Sequence, residues 1–238
     1  NELLALAEER GIDVDDVTLV QDNYYTMNGS ALRGTMTGGA LPVELSVEVD
    51  SDAEESTLRE LVETATRTSP VNGLMTSVLN SAFTLRLNGE AVPLEDGDDL
   101  GDESVEDPAS VFDDLVYDAD AQDRPIIHRT GRTTEPLPDA EEKYTSGSGS
   151  SLEADQDRVL HVRGVCTLDD EGTKTVEVKL FSPIGTVFEL RSDEPSGHGG
   201  QGRAPSAMAY VAAGLGFCFM TQIGRYADIV NKALGSYR

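Results

Sequence analysis

Pro205-Ser206-Ala207-Met208-Ala209-Tyr210-Val211-Ala212-Ala213-Gly214-Leu215-Gly216-Phe217-Cys218 is the stretch on which the reading of this chain turns. Gly197, Gly199, Gly200 and Gly202 lead into it. A proline near the start suits a first helical turn, where its missing N–H costs no hydrogen bond. Small side chains let other backbone come close, so the pattern predicts a long helix over Ser206–Val230 that is central and buried. Cys218 falls at its third turn. Its thiol is either a reactive group or inert packing, and that alternative decides what the chain does.

Upstream of the helix, Leu160–Leu168, Thr175–Phe181 and Thr186–Leu190 read as successive strands of an antiparallel meander. Asp170-Glu171-Gly172 and Pro183-Ile184-Gly185 supply its turns. The first part of the chain opens with a helix over residues 2–10 that ends at Gly11, a residue suited to the left-handed C-terminal position. Val17–Tyr25 and Leu41–Val49 alternate apolar and polar positions and predict strands, with Gly38-Gly39 between them. Ser51-Asp52 are expected to cap a helix over Glu54–Arg67, whose Leu58, Leu61, Val62 and Ala65 share a face. Ser69-Pro70 stops it; a short helix over Asn72–Ser77 and a strand over Ala82–Asn88 follow. Three regions result: 1–92, an acidic linker rich in Pro, Ser and Gly over 93–157, and 158–238. Within the linker, an ordered piece is expected around Val111–Tyr117.

The chain has 238 residues, with 44 acidic against 18 basic side chains and a formal charge of -26. Arginine outnumbers lysine by 14 to 4. Carboxylates hold water and cations tightly, whereas lysine stems are poorly hydrated. This balance suits a halophilic cytoplasm at molar salt, where repulsion is screened over about 3 Å. It excludes nucleic acid as an expected partner, because phosphate binding needs a basic face. No signal peptide and no apolar run of membrane-spanning length are read from the sequence, which predicts a soluble, cytoplasmic protein without a membrane partner. Cys166 and Cys218 do not make a disulfide framework, and His128, His161 and His198 lack ligand spacing, so neither metal nor cofactor is expected. The glycine loop lacks the preceding context of a dinucleotide fingerprint. Asn1 falls in what reads as mid-helix, and the chain is expected to be a fragment or a trimmed piece of a longer one.

The run from Gly197 through Pro205-Ser206-Ala207-Met208 to Cys218 resembles the OsmC/Ohr family, the osmotically inducible and organic hydroperoxide resistance proteins. Residues 158–238 are similar to that family's N-terminal half, a meander and then the cysteine helix. Residues 1–92 are similar to its C-terminal half, with Thr68-Ser69-Pro70-Val71 where members usually show Cys-Pro. The inverted order points to a tandem repeat cut between units, with a circular permutation as the alternative. The resemblance implies an α+β fold with bent antiparallel sheets around long central helices. It also implies a dimer, or an intramolecular pseudo-dimer.

What the resemblance implies chemically is a thiol-dependent peroxidase of the oxidative stress response, acting on an organic hydroperoxide and regenerated by a dithiol reductant. Cys218 is then the attacking sulfur, Arg163 the activating cation, and Met208 and Phe217 the contacts to the alkyl group. Arg203 and Arg225 flank the helix as other candidates, and His198 sits in the loop. The chain departs from the family at two places: Ala209 stands where a glutamate is often found, and Ser69 where the second cysteine is expected. These losses motivate the alternative of a non-catalytic OsmC-like protein that binds a hydrophobic small molecule or a protein partner. A third option is an interaction role carried by the acidic linker.

Overall fold

The computed structural model describes residues 1–30, 33–77, 82–93, 98–99, 125–132, 156–169, 172–180, 185–196 and 200–235. Along the chain run α1 (Glu2–Arg10), β1 (Asp16–Gly29), β2 (Thr37–Ala40), β3 (Glu44–Asp50), α2 (Glu55–Thr68) and α3 (Pro70–Thr76). Next come β4 (Ala82–Phe83), β5 (Leu85–Leu87), β6 (Glu90–Val92), β7 (Asp98–Asp99) and β8 (Ile127–Arg132). The order closes with β9 (Gln156–Leu168), β10 (Lys174–Lys179), β11 (Thr186–Ser192) and α4 (Ala207–Ile229). The fold is α+β.

Seven strands make one antiparallel sheet in the order β2-β1-β9-β10-β11-β8, with β3 also paired to β1. At 14 residues β1 is long enough to serve two neighbours on one edge: Asp16–Asp22 pair with β3 and Tyr25–Asn28 with β2. Its other edge pairs with β9 from Leu19↔Cys166 to Gly29↔Gln156. The two ends of the chain thus share a single sheet. β4 and β7 form a short parallel pair, and β5 and β6 a hairpin turned by Asn88-Gly89, both at positive φ as a tight two-residue turn requires.

The main apolar core lies where α1 and α2 cover β1 and β3. Leu3 and Ala7 of α1, Val17 of β1, and Leu61 and Ala65 of α2 are buried together, with Val47 and Val49 packed against them. Helical spacing explains the choice, since residues three and four apart fall on one stripe. α1 ends as expected at Gly11, which has φ 66° and donates its N–H back to the helix. α2 begins at Glu55 with Glu54 as its N-cap, not Ser51 or Asp52; the Ser51 hydroxyl instead accepts from Ala53 N and donates to Asp13 O.

Several expectations are corrected. Gly38-Gly39 lie inside β2, not between strands. The stretch read as linker contributes β8 as an edge strand on β11, while Gln156-Asp157 already belong to β9. Val111–Tyr117 lies outside the described residues. Pro205 precedes the Ser206 cap of α4 instead of occupying its first turn. Above all, α4 is not buried: every residue from Ala212 to Ile223 is exposed, and Ala227 alone in the helix is buried. Its 23 residues are also long and apolar enough to span a membrane by length and composition, contrary to the sequence reading. Small residues make close packing possible; they do not supply the partner.

Candidate functional site

α4 is positioned from its first turn. The Ser206 hydroxyl accepts from Ala209 N at 3.3 Å, satisfying a helix-end N–H. The Tyr210 hydroxyl donates to Arg191 O at 2.6 Å, which ties the helix to β11; burial raises its pKa. The glycine-rich loop ahead of it is gathered by Asp193, a buried carboxylate that accepts from the backbone N–H of Glu194, Gln201 and Arg203 at 2.9, 3.0 and 3.1 Å. Lys174 Nζ lies 3.8 Å away. Gly200 is obligatory there, because a Cβ would overlap the Glu194 carbonyl oxygen. The sequence reading missed Asp193, although an aspartate just ahead of a glycine-rich loop is a natural receiver of loop N–H groups.

Cys218 is a free, exposed cysteine. Ten residues separate it from Met208, so it stands about 15 Å further along the helix axis. Phe217 is 70% exposed. At about 100° per residue, its nine-residue offset puts it half a turn round from Met208, so the two do not share a site. Met208 instead lines a cavity of about 420 Å³ together with Ser69, Pro70, Val71, Leu19 and Leu45, so residues from both ends of the chain meet there. Ser69 caps α3, its hydroxyl accepting from Asn72 N at 3.3 Å. The position of the expected second cysteine is therefore at the cavity, and Cys218 is outside its lining.

Arg163 is held elsewhere. Its Nε and Nη2 donate to Asp22 Oδ1 and Oδ2 at 2.7 and 2.8 Å, a bidentate pair across β1 and β9. His161 Nε2 lies 2.6 Å from Asp22 Oδ1, and its ring stacks on Tyr24 with centroids 4.6 Å apart. The Tyr24 hydroxyl donates to Glu44 at 3.0 Å. Burial alone would raise the Asp22 pKa, but the hydrogen bonds and charges of Arg163 and His161 outweigh it and leave the pKa lowered. Asp22 is not singled out from sequence, and His161 only as a histidine without ligand spacing; a charged residue in the middle of an alternating strand is the available signal.

Cys166 faces Leu19 across the sheet and is half-buried, and burial pushes its thiol pKa up. Arg203 lends its backbone N–H to Asp193, Arg225 is half-buried on α4, and His198 lies outside the described residues. No cluster of metal-binding side chains occurs among the described residues.

No family model, curated protein or solved structure matches the chain. The functional reading therefore rests on the chain's own residues and on the resemblance of its loop–helix motif.

Proposed function

We propose that the chain is an OsmC/Ohr-type thiol-dependent peroxidase that reduces organic hydroperoxides through Cys218. The observation that carries this reading is the free, exposed thiol on the helix behind the anchored glycine-rich loop. The Cys218 thiolate attacks one peroxide oxygen and the O–O bond breaks. The leaving alkoxide takes a proton and departs as the alcohol, while Cys218 becomes a sulfenic acid. Ser69 cannot form a disulfide, so regeneration falls to an external dithiol: its first thiol condenses with the sulfenic acid and releases water, and its second displaces Cys218.

The sheet shared between the two ends supports an intramolecular pseudo-dimer of OsmC-like halves. Exposed Leu215, Phe219, Ile223 and Tyr226, which fall on one face of α4, support its pairing with a second copy, since a contiguous exposed apolar face marks an interaction site. The acidic surface supports a cytoplasmic, high-salt setting. The test is incubation with cumene hydroperoxide followed by intact mass. Cys218 should gain one oxygen, trappable as a sulfenic acid, and Cys218→Ser should lose turnover with a dithiol. An unmodified Cys218 in the wild type overturns the reading.

A second reading is a non-catalytic OsmC-like protein that binds a hydrophobic small molecule or a protein partner. The commitment of Arg163 to Asp22 and the placement of Ser69 at the cavity favour it. A Cys218→Ser chain that retains full cellular function selects it over the first.

A further inference from the structure

The cavity beneath α3 and the start of α4 has a chemical character that fixes what it takes. Its walls are aliphatic, with Leu19, Val47, Val62 and Met75 among them, and its volume of about 420 Å³ is within the range of small-molecule sites. Among the described residues, the ionisable side chains at its lining are Glu2 and Glu194, both carboxylates, and no lysine, arginine or histidine lines it. The Asn1 side-chain amide donates to the Glu194 carboxylate. The remaining polar lining is neutral. The Ser69 hydroxyl accepts from Asn72 N and keeps its own proton to donate; the Gln21 and Asn72 side chains are amides.

We propose that this cavity is a binding site for an uncharged amphiphile, an apolar chain bearing a hydroxyl or similar neutral head, and that it rejects the corresponding carboxylate. An anionic head brought into a low-dielectric pocket rimmed by two carboxylates meets repulsion as well as desolvation, and no side chain among the described lining residues brings a cation to offset either. A neutral hydroxyl needs one donor and one acceptor, which Ser69 and the amides provide. The site narrows the second reading above to a ligand class, and it stands whether or not Cys218 is catalytic, because Cys218 does not line it.

The test uses the fluorescent neutral probe N-phenyl-1-naphthylamine on the intact chain in molar potassium chloride at pH 7. The probe should bind, and decan-1-ol should displace it at least tenfold more effectively than decanoate. Met75 and Val43 line the cavity from partly exposed positions. Met75→Trp and, independently, Val43→Trp should each weaken probe binding several-fold with unchanged circular dichroism, so a folding failure of one leaves the other to decide. Cys218→Ser should bind as the wild type does. Equal displacement by decanoate, absence of probe binding, or binding indifferent to both tryptophans overturns the proposal. Loss of peroxidase turnover alone touches only the thiol reading.

Discussion

Asp22 and Arg163 face each other in register across β1 and β9 and join through two charge-assisted hydrogen bonds of 2.7 and 2.8 Å. The pair fastens the strand from one end of the chain to the strand from the other. Asp22 is only 7% exposed and also faces His161, which is 4% exposed. Removing Asp22 takes both bonds from a guanidinium whose side chain is only 18% exposed, where water replaces them poorly. Asp22→Asn is therefore expected to destabilise the chain by about 3 kcal/mol, near the low end for a broken buried pair. Urea unfolding reads it as a lowered midpoint at unchanged slope; a loss below about 0.5 kcal/mol, the scale of an ordinary surface substitution, would mean the pair does not hold the halves together.

The same carboxylate sets a pH dependence. The folded-state pKa of Asp22 lies below its ordinary value of 3.8, the bonds from Arg163 and His161 outweighing burial. A depressed carboxyl contributes stability above its unfolded pKa and loses it as pH falls through the folded value. The stability difference between wild type and Asp22→Asn should therefore be full at pH 6 and shrink below about pH 4. Taking the difference removes the relief of repulsion that all other carboxylates share on protonation. A gap that stays constant down to pH 2 contradicts the assignment.

Much of this architecture was readable from local pattern. Gly11 ends α1, Ser69-Pro70 separates α2 from α3, and the three strands before the loop fall where alternation places them. Each depends on backbone chemistry within a few residues. Two features were not readable. The β1–β9 pairing joins residues about 140 positions apart, as Asp22 and Arg163 are, and no local preference encodes such a pairing. The exposure of α4 is a property of what surrounds a helix; its small residues look alike beside a neighbour and beside water. The candidate site split for the same reason, because Met208 and Phe217 share a helix but not a face.

The two cysteines should differ sharply in reactivity. Cys218 is exposed, whereas Cys166 is half-buried and has its thiol pKa raised, chiefly by burial and against the pull of Lys174. The thiolate is the reacting form. Iodoacetamide at pH 8 should therefore alkylate Cys218 at least tenfold faster than Cys166, read by peptide mass over time. Comparable rates would mean that the β9 thiol is open to solvent.

If α4 pairs with a second copy, the association must depend on its apolar side chains. Tyr226 at 62% exposure and Leu215 at 51% share one face of α4 and are the candidates. Leu215→Asp and Tyr226→Asp should convert a sedimenting dimer to a monomer in molar potassium chloride while leaving the unfolding free energy of the monomer within about 0.5 kcal/mol. A wild type that sediments as a monomer at high micromolar concentration refutes the pairing.

The loop before α4 offers the last prediction. Asp193 collects three backbone N–H groups with one carboxylate, and Gly200 leaves the space in which Glu194 O approaches. Gly200→Ala places a methyl group against that oxygen, and Asp193→Ala leaves three donors without their acceptor; each should free the loop and with it the Ser206 cap and the first turn of α4. The cost is expected at about 2 kcal/mol for either change, the size of an unmet buried donor or an overpacked contact. The two should be less than additive when combined, since both release the same segment. Faster amide exchange confined to residues 194–210, with the β1–β9 amides still protected, is the expected signature. Exchange accelerated equally in β1 and β9 would show that the loop is part of the sheet's own cooperative unit and not a separately held mount for the helix.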